Sequence, residues 1–488
     1  MKKGVGFMAE KDYSKYFRPN LKNARRRGQE ESRVLHEEFV IPESMKNAGA
    51  GKTYYIKTYG CQANERDGET MAGILEQMKY QPTEDMYSAD VVLLNTCAVR
   101  ENAELKVFGK IGDLKRIKQQ RPDMIFGVCG CMAQEEAIVN RILEKHHQTD
   151  LIFGTHNVHR LPQLLEEAMY SKAQVVEVWS KEGDVIENIP SNRASNLKAW
   201  VNIMYGCDHF CTYCIVPYTR GKERSRLPED IKAEVQDLID QGYKEITLLG
   251  QNVNSYGLDL DNGYDFAKLL NEVAQMDVKR IRFTTSNPWD FKEEVFEMIA
   301  KYDNLMPYIH LPLQSGNNDV LRRMARRNTA ESYIELVDKI RKHIPNCAIS
   351  TDIIVGFPNE TREQFEDTLK MVDYVHYDNA YTFIYSPREG TPAAKMEDTI
   401  PFEEKQRRLQ ELNEHVNKWD LINNKKYEGK IVPVLIEGYS KKNKDLLMGY
   451  TDTQKLVNVK GDPKYIGEIV DVLITEAKTW SLDGEIHE

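Results

Sequence analysis

Cysteine is scarce in this chain, eight residues in 488. That is too few for a secreted disulfide scaffold, and in a reducing compartment clustered thiols more often mean metal or redox chemistry. Long apolar runs are missing too. No stretch reaches the roughly 18–20 apolar residues that a bilayer span needs, and Met1 to Lys15 is charged, without the apolar centre of a signal peptide. A cytoplasmic location with no membrane contact is therefore expected. An excess of basic charge is also absent: 66 Lys and Arg stand against 76 Asp and Glu, a net charge of -10. This speaks against a nucleic-acid partner for the molecule as a whole and leaves only local basic patches to supply one.

The chemistry is concentrated in one stretch. Cys207-Asp-His-Phe-Cys211-Thr-Tyr-Cys214 puts three thiols into eight residues, just after a run read as a strand, Ala199 to Tyr205, that Gly206 breaks. Three thiolates so spaced can converge on one metal centre. Structural zinc takes four protein ligands, whereas an iron-sulfur cube held by three thiolates keeps one iron open. A zinc site whose fourth ligand comes from elsewhere is the competing reading. His209, inside the loop, reads as a local hydrogen-bonding residue, since as a ligand it would block the open iron.

The length predicts about three domains. Residues 1–51, with Arg25-Arg26-Arg27 followed by Glu30 and Glu31, read as a flexible charged extension. In 52–170 short apolar runs (Tyr54–Tyr59, Val91–Thr96, Met124–Val128, Leu151–Phe153) alternate with amphipathic segments, the order of an α/β domain with a parallel sheet. Cys61, Cys97 and Cys131 each fall just past one of the first three strands. Open parallel sheets bind ligands beyond the carboxyl ends of their strands, so these distant thiols can meet there. Residues 171–197 look like a linker. From 198 to 424 six more strand-helix repeats (Ala199–Tyr205, Glu245–Leu249, Arg280–Thr285, Tyr308–Leu313, Ala348–Val355, Asn379–Tyr385) predict a partial (β/α)6 barrel, closed off by a polar helix, Pro401–Asn424. Residues 425–488 carry four β-rich runs between glycines, the pattern of a small antiparallel β-barrel.

Cys-x3-Cys-x2-Cys with Tyr213 before its last cysteine resembles the radical S-adenosylmethionine (SAM) enzymes. With Tyr-Gly-Cys61-Gln-Ala-Asn-Glu, Asn-Thr-Cys97-Ala-Val-Arg-Glu-Asn-Ala-Glu and Gly-Cys131-Met-Ala-Gln, the chain resembles their methylthiotransferase branch over about 52–488, ending in a TRAM-like domain. The resemblance implies two 4Fe-4S clusters. Cys207, Cys211 and Cys214 would hold the radical-generating one, and Cys61, Cys97 and Cys131 a second, implicated in carrying the inserted sulfur. Cys129 rivals Cys131 because residues two apart on a strand share a face; Cys131 matches the family's Gly-Cys position, leaving Cys129 and Cys347 as buried thiols. Tyr213, Gly250, Gln251, Asn252, Ser286 and Asp352 would line the SAM site, with the amides of Gly250-Gln251-Asn252 at the methionine end.

The segment around Cys97 looks most like members acting on N6-isopentenyladenosine at position 37 of tRNA, beside the anticodon. The implied reaction replaces the C2 hydrogen of that adenine by a methylthio group, with SAM as methyl donor and radical source. That unactivated C–H bond is neither acidic nor readily attacked, a physical reason for radical chemistry. The implied partners are the tRNA anticodon stem-loop and a low-potential electron donor, and the chain is expected to be a monomer. Arg220, Lys222, Arg224 and Arg226 after the loop, and Lys441, Lys442 and Lys444 in the terminal domain, are the candidate phosphate contacts. Tyr218, Tyr385 and Trp480 are candidate stacking residues. Competing substrates are threonylcarbamoyl-adenosine in tRNA and a ribosomal-protein aspartate; a zinc-containing RNA-binding protein is the non-enzymatic alternative.

Overall fold

The computed structural model describes residues 36–98, 101–171, 173–178, 185–260 and 263–487. Arg25-Arg26-Arg27 and the first 35 residues of the expected extension lie outside the described residues, as do Val99 and Arg100 of the Cys97 motif. The chain divides into two units. The first comprises 1–192 with Ile215–Lys222, the second Arg193–Cys214 with Glu223–Glu488.

In the first unit β1 (His36–Glu38) precedes β2 (Thr53–Tyr59), α1 (Gln62–Gln77), β3 (Gln81–Pro82), β4 (Val91–Thr96), α2 (Glu101–Gln120), β5 (Ile125–Cys129), β6 (Leu151–Phe153), β7 (Val175–Glu177) and β8 (Val185–Glu187). Strands β3-β2-β4-β5-β6-β7 form one all-parallel sheet. Every residue of β4 and β5 is buried, as expected of strands covered on both faces. The two-residue period sorts their side chains: Val91 and Leu93 join Met71, Ile74 and Leu75 of α1, while Val92 and Leu94 join Val107, Ile111 and Leu114 of α2.

Two segments are more ordered than their composition predicts. Within 171–197, expected as a linker, β7 supplies the last strand of the sheet and β8 pairs with β1. The end of the expected extension is anchored by Met45, 2% exposed in the α1-side core. Short runs such as Val175-Val-Glu acquire strand geometry from the sheet edge they meet, which no local pattern announces.

The second unit holds β9 (Lys198–Asn202), β10 (Met204–Tyr205), β11 (Arg224–Ser225), β12 (Glu245–Leu249), β13 (Arg280–Phe283), β14 (Tyr308–His310), β15 (Ala348–Val355) and β16 (Asn379–Ile384). Parallel sheets β13-β12-β9 and β14-β15-β16 are stitched together where Ile281 pairs with Leu305. Six parallel strands thus run in chain order, an open partial barrel. Ala199, Ile246, Ile281, Ile309, Ile353 and Ile384 point to the helical layer. Their neighbours face the lumen. The expected strand Ala199–Tyr205 is two, because Met204 and Tyr205 leave the barrel sheet to pair antiparallel with Ser225 and Arg224.

The chain ends in a closed barrel of β17 (Ile431–Tyr439), β18 (Leu447–Thr451), β19 (Leu456–Lys460), β20 (Ile469–Ala477) and β21 (Leu482–Ile486), ordered β17-β18-β19-β21-β20. The sequence pattern shows only four of these strands. In β21, Asp483, Gly484 and Glu485 interrupt the apolar signal, and Gly484 is needed because a Cβ would stand 2.6 Å from Val472 Cγ1. The helix Phe402–Lys425 fastens this barrel: Asn423 Nδ2 donates to His376 O (2.9 Å) and Asn424 Nδ2 to Lys478 O (2.8 Å). Part of its polar composition is therefore used internally: Lys405, Arg408, Asp420, Asn423 and Asn424 are buried, while Glu403, Gln406, Arg407, Gln410, Glu414 and Lys418 face water.

Candidate active site

In the first unit, parallel strands β2, β4 and β5 end side by side, and each is followed within two residues by a thiol: Cys61, Cys97 and Cys131. Two glycines let them approach. At Gly60 a Cβ would stand 2.6 Å from Cys97 Cβ; Gly130 has φ +93°, and a Cβ there would meet Asn95 Oδ1 at 2.3 Å. Cys61 is the N-cap of α1, where free amides favour a thiolate. Its pKa is pushed down to about 5, first by a hydrogen bond with Cys97, then by the Arg220 cation and the amides of Asn64 and Ala63, against the effect of burial. Burial moves Cys131 the other way, up to about 11.

Asn64, fully buried, joins the set. Its Oδ1 accepts from the Cys61 thiol at 3.3 Å and lies 3.8 Å from Cys131 Sγ. Its Nδ2 donates to Asn95 Oδ1 and Thr96 O, both at 3.2 Å, and Asn95 Nδ2 donates back to Asn64 O at 2.7 Å. Cys129 points elsewhere, with Sγ 3.7 Å from Met71 Sδ and Leu94 O. The turn at Gly130 separates the two cysteines, and the structure brings Cys131, not Cys129, to Cys61. Cys347 is buried in the core of the second unit.

In the second unit the loop Cys207–Cys214 follows β10. Gly206 at φ +80° and Phe210 at φ +46° shape it. Thr212 pins it, its N donating to Met324 O (2.9 Å) and its Oγ1 to Arg323 O (2.8 Å). Arg326, its guanidinium 4.4 Å from the Trp289 ring centroid, places Nη1 3.8 Å from Cys211 Sγ. Asn252 Nδ2 donates to His209 Nε2 at 2.6 Å and to Glu223 Oε1 at 3.0 Å, and its Oδ1 accepts from Asn287 Nδ2 at 2.7 Å. Burial, reinforced by Arg327 and Arg326, pushes His209 down to about 4, so it is neutral at pH 7. Burial likewise raises Glu223 to about 7.

The expected SAM contacts divide. Gly250 must lack a side chain, since a Cβ would stand 2.7 Å from Met204 Cγ. Gln251 Oε1 accepts from Gly206 N at 2.5 Å, and with Asn252 it braces the cysteine loop from behind. Tyr213 packs against Phe357 and Tyr385. Ser286 Oγ donates to His310 O at 2.8 Å. The Asp352 side chain is 32% exposed and stands 3.3 Å from His310 Nε2. Two lumen residues escaped the sequence reading, Tyr381 and Phe383, 48% and 43% exposed. Their alternation with Ala380 and Ile384, which pack toward the helices, was the signal available.

The basic run after the loop is corrected. Arg220, Arg224 and Arg226 are each 7% exposed and are committed within the protein. Arg226 bonds Asn202 O (2.8 Å) and Glu234 (2.5 Å), and Arg220 bonds Asp67 Oδ2 (2.6 Å). Charge runs read as solvated; Arg226 is drawn in by Glu234, eight residues on, and Arg220 by Asp67, 153 residues away. Lys222 is half-buried, while Lys441, Lys442 and Lys444 are exposed. Tyr218 and Tyr385 are buried, and Trp480 is 74% exposed.

Both thiol sets suit an iron-sulfur cube. Each offers three soft thiolates, and among the described residues neither remaining cysteine turns toward them. Near Cys211 the buried His209 Nδ1 and Arg326 Nε have no hydrogen-bond partner, as groups that await a bound ligand would. Cys207, His209 and Glu223 have ligand atoms within 4.8 Å of one another, a donor set that zinc could use; His209 Nε2 is bonded to Asn252.

Residues 201–372 match the Radical SAM superfamily, 53–154 the Uncharacterized protein family UPF0004 and 425–487 the TRAM domain. The three-cysteine loop and the first of these matches define a radical SAM enzyme, with a 4Fe-4S cluster and SAM as cofactors. The chain is 60% identical to the tRNA-2-methylthio-N(6)-dimethylallyladenosine synthases of Bacillus cytotoxicus and Bacillus subtilis, over 98% of its length and 95% of theirs; it is 59% identical to that of Staphylococcus saprophyticus, over 97% of this chain and 93% of the relative. It belongs to the tRNA-2-methylthio-N(6)-dimethylallyladenosine synthase family. The radical SAM methyltransferase TsrM of Kitasatospora setae shares the fold, with a TM-score of 0.50 at 12% identity over 70% of this chain and 77% of that one.

Proposed function

We propose that the chain methylthiolates C2 of N6-isopentenyladenosine at position 37 of tRNA. The observation that carries this reading is the pair of three-thiol sets, Cys207-Cys211-Cys214 and Cys61-Cys97-Cys131, each without a fourth cysteine. A bound 4Fe-4S cluster with SAM would supply a carbon radical able to take an unactivated hydrogen. Cys207, Cys211 and Cys214 would hold that cluster, with Arg326 beside Cys211 and with Gln251 and Asn252 fixing the loop. Cys61, Cys97 and Cys131 would hold a second 4Fe-4S cluster, for the sulfur to be inserted. In the lumen, Asp352 would meet SAM, and Tyr381 and Phe383 offer apolar faces suited to an unstacked prenylated base. Lys441, Lys442 and Lys444 would meet phosphates of the anticodon stem-loop. The enzyme would act as a cytoplasmic monomer with a low-potential electron donor.

The test is anaerobic reconstitution followed by nucleoside mass spectrometry of isopentenylated tRNA, which is expected to gain a methylthio group. Conversion of threonylcarbamoyl-adenosine or of a ribosomal-protein aspartate instead would overturn the substrate assignment. Stoichiometric zinc without acid-labile sulfide would overturn the chemistry.

A further inference from the structure

Six residues beyond Cys214, Arg220 lies in the segment Ile215–Lys222 that packs as part of the first unit. The helical turn Val216–Thr219 sets its direction, and Thr155 Oγ1 holds it by donating to Thr219 O at 2.9 Å. The Arg220 and Asp67 side chains are 8% and 13% exposed and meet at 2.6 Å. The same guanidinium hydrogen-bonds Cys131 and interacts with the charge of Cys61. Asp67 stands on α1, six residues after its cap, Cys61.

A buried guanidinium is costly unless it is paired, and Asp67 alone would satisfy that need. The thiols make a second demand. Three thiolates at one buried spot repel one another and anything negative bound to them, and a fixed cation relieves this. The planar fork of arginine can serve a carboxylate and a sulfur together, which a lysine ammonium does less well. We propose that Arg220, oriented by Asp67, is the charge-balancing and positioning residue of the Cys61-Cys97-Cys131 site and sets the reduction potential of the cluster held there. This rests on the reading that those cysteines hold a 4Fe-4S cluster.

The test uses the full chain with Cys207, Cys211 and Cys214 all changed to Ala, so that only the first site can carry iron. Iron and sulfide analysis of this parent examines the reading itself: without either, both the reading and the inference fall. With a cluster present, Arg220→Gln, Arg220→Lys and Asp67→Asn are compared by redox titration followed by electron paramagnetic resonance. Arg220→Gln is expected to lower the midpoint potential, because loss of a positive charge disfavours an added electron, and to speed iron loss to a chelator. Arg220→Lys should stay nearer the parent, and Asp67→Asn should shift upward. Should Gln leave the potential unchanged, or should Gln and Lys shift it or empty the site equally, Arg220 is mere packing and the inference is wrong while the cluster reading stands.

Discussion

Arg282 Nε donates to Glu245 Oε2 at 2.9 Å between neighbouring strands β13 and β12, both side chains about 95% buried. The remaining nitrogens of Arg282 bond Asp452 O and Thr451 O, each at 2.8 Å, and Arg280 bonds Tyr450 O and Pro433 O at 2.8 and 3.0 Å. Two lumen-facing arginines thus clamp the terminal barrel through its backbone. Arg282→Ala strands Glu245 and the carbonyls of Thr451 and Asp452; it is expected to cost about 3–5 kcal/mol, read as a lower urea midpoint with earlier proteolytic release of residues beyond 425. A loss below ~1 kcal/mol would refute the clamp.

The two thiol sets should separate in function. Replacing Cys207, Cys211 or Cys214 by Ala is expected to abolish 5′-deoxyadenosine formation from SAM. Replacing Cys61, Cys97 or Cys131 should retain some cleavage and stop thiolation. Identical behaviour of both sets in a single-turnover assay would contradict the division of roles.

Cys129 and Cys131 are two residues apart and point to different places. Cys129→Ala should keep the full iron content and cost roughly 1 kcal/mol of stability, the loss of one small buried group. Cys131→Ala should lose the iron of one cluster. Metal analysis of the two variants side by side decides the matter.

Asp420, 5% exposed on the helix Phe402–Lys425, has its pKa raised to about 7 by burial, with Lys455 opposing and Asp378 adding. The folded state therefore holds this proton more tightly than the unfolded chain, whose carboxyl titrates near ~4. Folding stability is undiminished below that value and declines as pH rises toward the folded value, by an amount on the order of a few kcal/mol. Asp420→Asn should flatten this decline between about pH 4 and pH 7. Parallel urea-midpoint curves for the two proteins would exclude Asp420 as its source.

Tyr381, 48% exposed on the lumen side of its strand, has its ring centroid 6.0 Å from that of His310, the two rings tilted by 65°. Base stacking on an aromatic is worth about 1–3 kcal/mol, so Tyr381→Ala should raise KM for tRNA some tenfold or more. SAM cleavage without tRNA should change little. An unchanged KM would remove this side chain from substrate binding.

Much of the fold is legible because it rests on period and on strand polarity. Parallel strands such as Val91–Thr96 announce themselves by continuous apolar runs, and the carboxyl-edge rule places Cys61, Cys97 and Cys131 together although 36 and 34 residues separate them. What cannot be read are pairings settled by tertiary contact. Nothing local says that Arg226 will find Glu234 or that Arg220 will find Asp67, so a buried set of ion pairs looks like a basic surface. Asn64 was within reach: three residues after Cys61 on a helix, it lies near the same face. The strand Leu482–Ile486 was not, since its pairing partners, β19 and β20, fix it as a strand more than its own residues do.

The segment Ile215–Lys222 also bears on how such a protein could be divided. Expressed alone, residues 1–192 would contain all three thiols of the first site and lack the Arg220 guanidinium that stands beside them. The first unit is therefore no detachable cassette: cut out at residue 192 it leaves Arg220 behind, and only a fragment that carries Ile215–Lys222 with it keeps the guanidinium beside the thiols.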